Sequence, residues 1–149
     1  MKIYLGADHR GFELKEKIEE YLQGKEYEVF DLGNVVYDKA DDYPDYAKLV
    51  AEKVSADPDN SRGVLVCGSG AGMAIVANKF KNIRAALAIN PKHAFMERND
   101  EDTNILSLTA DFTDFENAKA IVDTFLTTAF STEERHRRRV EKVRALDRS

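Results

Sequence analysis

The chain of 149 residues has one Cys and three His, the residue types that form disulfides and zinc sites, and it has only three Pro and no Trp. A single Cys cannot form an intramolecular disulfide, so a disulfide-stapled secreted scaffold is excluded. A four-Cys zinc site is excluded for the same reason, and three His leave little for a His-rich site. The sequence also lacks an apolar run long enough to cross a bilayer, and charge comes too early at the amino terminus for a signal peptide.

What the sequence does contain is typical of a folded globular protein. Hydrophobic residues make up 43% of the chain and charged residues 33%, a balance that argues against disorder. The length suits one domain with a buried core. We therefore expect a single cytosolic domain over residues 1–149, with one free thiol and no membrane partner.

Basic residues are concentrated at the carboxyl terminus. Residues 131–149 carry seven Lys and Arg against four Asp and Glu, a net charge of +3, which leaves −8 for the first 130 residues. The basic side chains of this tail are Arg135, Arg137, Arg138, Arg139, Lys142, Arg144 and Arg148. Such a tail either holds an anion or docks on another subunit. A nucleic-acid partner is not expected, because the acidic body would repel it.

Short apolar runs alternate with amphipathic segments along the chain. The apolar runs predict strands at 2–7, 27–32, 63–67, 84–89 and 104–108, with a helix after each. Strands this apolar indicate a parallel sheet covered on both faces. The predicted fold class is α/β: a three-layer α/β/α Rossmann-like sandwich with a five-stranded parallel sheet. The last helix lacks a strong apolar face, so we expect it to dock on a neighbouring subunit.

A glycine loop follows the third predicted strand, at the edge of the sheet where such folds bind ligands. Gly68, Gly70 and Gly72 let backbone N–H groups converge on a negative oxygen. Their spacing does not match a dinucleotide fingerprint, and the loop lacks the Gly-Lys-Ser/Thr of a Walker loop. The alternative is that these glycines only form a tight strand-to-helix turn.

Cys67 is the last residue of the third predicted strand and directly precedes this loop. A buried structural thiol is the usual state of a lone Cys. Its position before a helix nevertheless favours the thiolate. A thiolate beside an anion-stabilising loop could attack an electrophile or remove a carbon-bound proton. Nucleophilic attack normally recruits a His partner, and His9 could approach Cys67 in the fold.

Two further polar segments are candidates for the same edge. Asp8, His9 and Arg10 follow the first strand, either as a turn into the next helix with Asp8 as a cap or facing the crevice toward hydroxyls or phosphate. The segment 42–46 contains Tyr43, and it is either a helix start with packed Tyr side chains or a wall of the pocket.

Several segments together resemble the ribose-5-phosphate isomerase B family, which also contains the galactose-6-phosphate isomerase subunits. The resemblance rests on Asp8-His9-x-Gly11-x-x-Leu14-Lys15, Asp42-Tyr43-Pro44-Asp45-Tyr46-Ala47, Cys67-Gly68-Ser69-Gly70-x-Gly72, Ala77-Asn78-Lys79, Ile83-Arg84-Ala85-Ala86 and Arg135-His136-x-Arg138-Arg139. These segments cover nearly the whole chain in unbroken order, so the set is more specific than any one of its members.

The resemblance implies an aldose–ketose isomerase that acts on phosphorylated sugars through an enediolate, without a metal or organic cofactor. Ribose 5-phosphate and ribulose 5-phosphate are the expected substrate pair, with Cys67 as the base that moves a proton between C1 and C2. The resemblance further implies a homo-oligomer, a dimer or tetramer, with sites at the subunit boundaries.

The same resemblance implies roles for the remaining candidate residues. Ser69 and the amides of Gly68, Gly70 and Gly72 would stabilise the enediolate oxygen. Asp8, His9 and Tyr43 would contact the sugar phosphate, and Arg135 and Arg139 would bind phosphate in a neighbouring subunit's site.

Two features of the family pattern are missing from this sequence. The family commonly has a His-Asn pair before the fifth strand, and that His is assigned to opening the furanose ring. An ungapped comparison places Asp100 and Glu101 there, whereas a gapped one places Arg98 and Asn99. A common Arg after the strand falls at Asp111.

These departures leave the substrate open. Asp100 could be the ring-opening base with Glu101 beside it in the sugar pocket. Alternatively the substrate needs no ring opening, as for a tetrose 4-phosphate, or it is a hexose phosphate. Two more distant functions also fit the residues: a non-catalytic sugar-phosphate-binding protein and a flavodoxin-like nucleotide binder.

Overall fold

The computed structural model describes residues 1–147, and Arg148 of the basic tail lies outside the described residues. Its strands are β1 (Lys2–Ala7), β2 (Glu28–Asp31), β3 (Ser61–Cys67), β4 (Ala85–Leu87) and β5 (Ile105–Thr109). Its helices are α1 (Phe12–Gln23), α2 (Tyr43–Ala56), α3 (Ala71–Ala77), α4 (Pro91–Glu101), α5 (Phe115–Thr127) and α6 (Glu134–Arg144). Within this part of the chain, no helix is both long and apolar enough to span a bilayer.

The five strands form one parallel sheet in the order β2-β1-β3-β5-β4. Ala7 at the end of β1 pairs with Val66 of β3, and Cys67 pairs with Thr109 at the end of β5. The turn after β1 and the loops after β3 and β5 therefore meet at one edge of the sheet, which we call the carboxyl edge. The edge at which the strands begin is the amino edge.

Helices cover both faces of the sheet. On one face, a buried cluster joins α1, α4 and α5 to β1, β3 and β5, with Phe125 at 0% exposure among its largest members. On the other face, α2 and α3 pack on the sheet around Leu65 and Met73. Alternate strand side chains enter the two clusters, as expected of strands buried on both sides. The predicted three-layer α/β/α fold is confirmed.

Several element boundaries differ from the sequence pattern by one to three residues, and side-chain amides lie at two of them, the end of α3 and the start of β4. The pattern extends the third helix to Phe80, but α3 ends at Ala77. The Asn78 side chain follows, donating to and accepting from the backbone of Ala85 at 2.8 Å each. β4 begins one residue later than expected: the Arg84 N–H donates to the Asn104 side chain at 2.8 Å, while the Arg84 carbonyl still accepts the backbone N–H groups of Asn104 and Ile105. A side-chain amide thus replaces one backbone hydrogen bond at the start of the strand.

The basic helix α6 lies against α4 of its own chain. Its buried side is narrow, consisting of His136 and Val140 one turn apart, which explains why the sequence pattern suggested no apolar face. Near its end, Arg144 donates to the Asp102 carboxylate at 3.0 Å. Asp102 precedes β5, so this part of α6 lies at the amino edge. Docking of the helix on a neighbouring subunit stays a prediction.

Candidate active site

The Cys67 thiol lies at the carboxyl edge, where β3 enters the glycine loop. The residue is 5% exposed, and its Sγ accepts the Gly70 N–H at 3.1 Å. Side chains of β5 anchor the loop: Thr109 donates to the Gly68 carbonyl at 2.7 Å, and Ser107 to the Gly70 carbonyl at 2.6 Å. The thiol therefore lies at the start of a loop that two hydrogen bonds from β5 anchor, with the Gly70 N–H directed at the sulfur.

Gly70 is the residue that gives this loop its shape. Its φ of +76° lies in the left-handed region, which a residue with a Cβ rarely adopts. A Cβ there would also lie 2.5 Å from the Leu87 side chain and 3.1 Å from the Leu108 carbonyl oxygen. This backbone path depends on Gly70, as a tight strand-to-helix turn requires, and binding of a negative oxygen by the loop amides stays a prediction.

Ser69 and Tyr43 lie on the outer side of the same loop. Ser69 is exposed, and its hydroxyl accepts the Ala71 N–H at 3.4 Å. The Tyr43 ring packs so closely on Gly72 that a Cβ on the glycine would lie 2.8 Å from the ring. Tyr43 begins α2 and is 40% exposed, so its ring forms a partly exposed wall beside the loop.

Asp8 shapes the turn after β1. One of its carboxylate oxygens accepts the N–H groups of Arg10 and Gly11, both at 3.0 Å, and the residue is 6% exposed. Asp8 thus closes the turn that precedes α1, whose own N-cap is Gly11 without a side-chain cap. This turn sets the directions in which the neighbouring His9 and Arg10 leave the sheet.

His9 belongs to a hydrogen-bonded chain that the sequence reasoning missed. Its Nδ1 lies 2.6 Å from Oδ1 of Asp41, and its backbone N–H donates to the same oxygen at 3.1 Å. The second oxygen of Asp41 accepts the Asn34 amide, and the Tyr46 hydroxyl donates to the oxygen of that amide. Desolvation by burial raises the pKa of Tyr46, and the Asp41 charge adds to the effect, so this hydroxyl keeps its proton.

Arg10 crosses from the β1 turn to the β5 turn. Its guanidinium lies against Gly68 and donates to the carboxylate of Asp111. The backbone N–H of Asp111 in turn donates to the Gly68 carbonyl at 3.1 Å. Asp111, at the position where the family commonly has an Arg, therefore holds the guanidinium of Arg10 beside Gly68.

The remaining candidate residues lie elsewhere. Helix α4 starts beyond the end of β4 and runs back to the beginning of β5, which places Asp100 and Glu101 near the amino edge. Asp100 Oδ1 lies 3.7 Å from Nδ1 of the buried His136 of α6. Arg135 and Arg139 are exposed on α6 one turn apart. One chain does not bring these four candidates together with Cys67.

The Arg135 guanidinium keeps its charge in this position. Its Nε donates to the Glu133 carboxylate at 2.7 Å, and this hydrogen bond raises the pKa of Arg135 above its ordinary value. Both groups are exposed, so the pair contributes little to stability. The guanidinium remains available to an anion.

One acidic cluster among residues 1–147 has carboxylates close enough to share a cation: Glu16, Glu19 and Asp31. The buried Lys15 already donates to Glu16 at 2.6 Å and to Asp31. Burial disfavours the charged form of Lys15, but these hydrogen bonds outweigh it and raise its pKa. The positive charge of the Lys15 side chain therefore already balances part of the negative charge of this cluster.

Comparison with known proteins places the chain in a family. A family model described as Ribose/Galactose Isomerase matches residues 3–143. The chain is 44% identical over 142 residues to the probable ribose-5-phosphate isomerase B of Mycoplasma genitalium, covering 95% of this chain and 92% of that protein. It is 40% identical over 146 residues to ribose-5-phosphate isomerase B of Escherichia coli, covering 98% of this chain and 96% of that protein.

Solved structures agree with the sequence relatives. The Mycoplasma genitalium ribose-5-phosphate isomerase B with bound ribulose-5-phosphate has a TM-score of 0.94 at 40% identity, covering 97% of this chain and 94% of that one. The Clostridium thermocellum enzyme has a TM-score of 0.92 at 40% identity, covering 98% and 97%. The resemblance inferred from the sequence motifs is confirmed, and the chain belongs to the ribose/galactose isomerase family.

Proposed function

We propose that this chain interconverts ribose 5-phosphate and ribulose 5-phosphate through an enediolate, with Cys67 as the proton-transfer base. The observation that carries the proposal is the buried Cys67 thiol, which accepts the Gly70 N–H at 3.1 Å on an anchored glycine loop. Simple sugar binding does not require a thiol at that point. Proton removal next to a carbonyl requires both a base and a group that stabilises the developing oxyanion.

The loop would supply both requirements. In the aldose-to-ketose direction the Cys67 thiolate removes the C2 proton, the proton of the C2 hydroxyl passes to the oxygen on C1, and the thiol returns its proton to C1. The exposed Ser69 hydroxyl and the amides of the loop stabilise the enediolate oxygen between these two transfers. Asp8, His9 and Tyr43 would bind the sugar from the β1 turn and from the start of α2.

The phosphate site would be completed by a second copy of the chain. Arg135 and Arg139 lie together with Asp100 at the corner where α4 ends and α6 begins, away from Cys67 of the same chain. Two exposed arginines one turn apart on α6 suit a phosphate dianion. We therefore propose a homo-oligomer in which each α6 presents these arginines, with Asp100 and Glu101, to its neighbour's glycine loop. A cytosolic location stays a prediction.

The ribose-5-phosphate isomerase B names of the relatives favour the five-carbon sugar over a tetrose or hexose phosphate. Retention of Cys67 and Ser69 on the loop weighs against a non-catalytic binding protein. No Walker or dinucleotide spacing supports a nucleotide-binding function.

A coupled assay across four-, five- and six-carbon aldose and ketose phosphates tests the proposal. We expect ribose 5-phosphate to have the highest kcat/KM. A tetrose 4-phosphate with a higher value would replace the proposed substrate. Absence of turnover with all of them, combined with phosphosugar binding by calorimetry, would favour a non-catalytic binding protein.

A further inference from the structure

We propose that Asp41 is a positioning residue: it holds the His9 imidazole with its proton on Nδ1, so that Nε2 offers a lone pair to a substrate hydroxyl. This inference rests on the proposed sugar-phosphate site. It concerns a residue in the loop between β2 and α2, which none of the motifs marked as functional.

The contacts of Asp41 fix the location of the proton. Its side chain is 3% exposed, and both of its oxygens face donors: Oδ1 accepts the His9 backbone N–H at 3.1 Å, and Oδ2 accepts the Asn34 amide. A carboxylate whose two oxygens accept N–H groups is an acceptor toward the imidazole as well. The 2.6 Å contact from Nδ1 to Oδ1 therefore places the imidazole proton on Nδ1.

Further hydrogen bonds fix the position of the Asp41 carboxylate. The Tyr46 hydroxyl donates to the Asn34 side-chain oxygen, which turns the amide nitrogen of Asn34 toward Asp41. The ammonium of the buried Lys15 donates to the Asn34 backbone carbonyl at 3.3 Å. Residues of α1 and α2 thus secure the loop, and Asp41 cannot turn away from His9 without breaking several hydrogen bonds.

The far side of the imidazole is free. His9 Nε2 makes no hydrogen bond within residues 1–147, and the side chain is 26% exposed. The ring of Tyr37 packs edge-on against the imidazole, with the centroids 6.4 Å apart. His9 follows β1 at the carboxyl edge, the same edge of the sheet as the Cys67 loop. In the neutral ring Nε2 accepts a hydrogen bond, which matches a sugar hydroxyl.

Nitrogen-15 NMR of the ligand-free protein tests the tautomer directly. Long-range nitrogen–proton spectra distinguish a protonated from a bare ring nitrogen, and His9→Gln assigns the His9 signals among the three His. We expect wild-type His9 to carry its proton on Nδ1. In Asp41→Ala we expect the Nε2–H form to gain population, and kcat/KM for ribose 5-phosphate to fall by about tenfold to a hundredfold.

Asp38→Ala is the matched control. Asp38 is an exposed carboxylate of the same loop. Among residues 1–147 its side chain accepts a single hydrogen bond, from the Ala40 N–H at 2.9 Å, so its loss removes the same charge without removing a contact of His9. We expect it to leave the His9 spectrum and kcat/KM unchanged within twofold. Tyr46→Phe, which loosens Asn34, should move the spectrum in the direction of Asp41→Ala by a smaller amount.

Two results would overturn the inference. One is a wild-type spectrum with the His9 proton on Nε2, which decides the matter even if Asp41→Ala fails to fold. The second is a folded Asp41→Ala whose His9 spectrum and kcat/KM match those of the wild type. Because the spectrum is recorded without substrate, a failure of the proposed isomerase activity would leave the tautomer result standing and would be recognised separately.

Discussion

Arg10 donates to the carboxylate of Asp111, and its guanidinium lies against the backbone of Gly68. The pair joins the turn after β1 to the turn after β5 across the first residue of the glycine loop. The guanidinium is 54% exposed and the carboxylate 33% exposed, so the pair contributes little to folding stability. The effect of the pair is to position a charge: Asp111 holds the Arg10 guanidinium beside the loop that follows Cys67.

We expect Arg10→Ala to raise KM for ribose 5-phosphate about tenfold, because a guanidinium beside the loop attracts the anionic substrate. The free energy of unfolding should change by no more than about 1 kcal/mol, since the pair is partly exposed. Steady-state kinetics and urea unfolding measure the two effects. Lys48→Ala, which removes an exposed lysine of α2, is the charge-matched control, and an equal rise in KM in that variant would contradict the assignment.

Cys67 is the single thiol in the chain, which makes its chemistry directly testable. We expect Cys67→Ala to lower kcat by about a hundredfold to ten-thousandfold, the usual contribution of a general base, while phosphosugar binding persists. Iodoacetamide should inactivate the wild type with one label per chain, and bound substrate should slow the labelling. Normal turnover by Cys67→Ala would exclude Cys67 as the base.

Much of this arrangement could be predicted from the sequence, because it depends on local patterns. Apolar runs mark all five strands, and the parallel pairing that follows from them brings the turn after β1 beside the loop containing Cys67. The partners of these residues could not be predicted, because they come from distant turns. Asp41 reaches His9 across 32 positions and Asp111 reaches Arg10 across 101, and neither pairing has a periodic signal.

The position of Asp100 could not be predicted from the sequence either. The ungapped comparison puts Asp100 at the family's ring-opening position and so predicts that it lies in the site of Cys67. In the structure, the direction of α4 places it at the amino edge of its own chain. Motif comparison aligns residues without saying which copy of a symmetric assembly supplies them. Within one chain the candidate residues therefore form two groups, one around Cys67 and the other around Asp100 and the exposed arginines of α6.

Mixing two inactive variants tests whether the site is shared. Cys67→Ala and Arg139→Ala should each be nearly inactive as pure oligomers. If the arginine acts in its neighbour's site, co-refolded mixtures contain dimers with one intact site and recover up to about a quarter of wild-type activity. Size-exclusion chromatography of the mixture verifies assembly. If assembled mixtures recover no activity, the arginine does not act in the neighbour's site.

Gly70→Ala should destabilise the loop that carries Cys67. The left-handed φ of +76° costs a residue with a Cβ about 1–2 kcal/mol, and the contact with Leu87 adds to this. We expect the free energy of unfolding in urea to fall by about 2 kcal/mol or more, with loss of kcat because the N–H at the sulfur is displaced. Gly24→Ala is the control: Gly24 has a φ of −76°, and a Cβ there would lie no closer than 3.6 Å to its nearest neighbour. Equal destabilisation by both substitutions would show that the left-handed conformation of Gly70 is not the cause.

The buried Glu97 of α4 should make stability depend on pH. Desolvation by burial raises its pKa from 4.5 to about 7, and its Oε2 has no hydrogen-bond partner within residues 1–147. Between pH 4.5 and 7 the folded state therefore binds a proton that the unfolded state has released, so the free energy of unfolding falls as pH rises through this window.

The substitution Glu97→Gln removes this titration while keeping the shape of the side chain. Stability of the variant minus that of the wild type should rise by roughly 3 kcal/mol between pH 4.5 and 8 and stay level below pH 4.5. Urea unfolding of both proteins across the pH range measures this difference, in which titrating groups away from residue 97 cancel. His93 does not cancel, because its Nε2 lies 3.2 Å from Oε1 of Glu97, so the comparison is made in a His93→Gln background. Glu52→Gln, on an exposed carboxylate of α2, should give a flat difference over the same range. A flat difference for Glu97→Gln as well would mean that its carboxyl group titrates alike in the folded and unfolded states, and that water reaches it despite its burial.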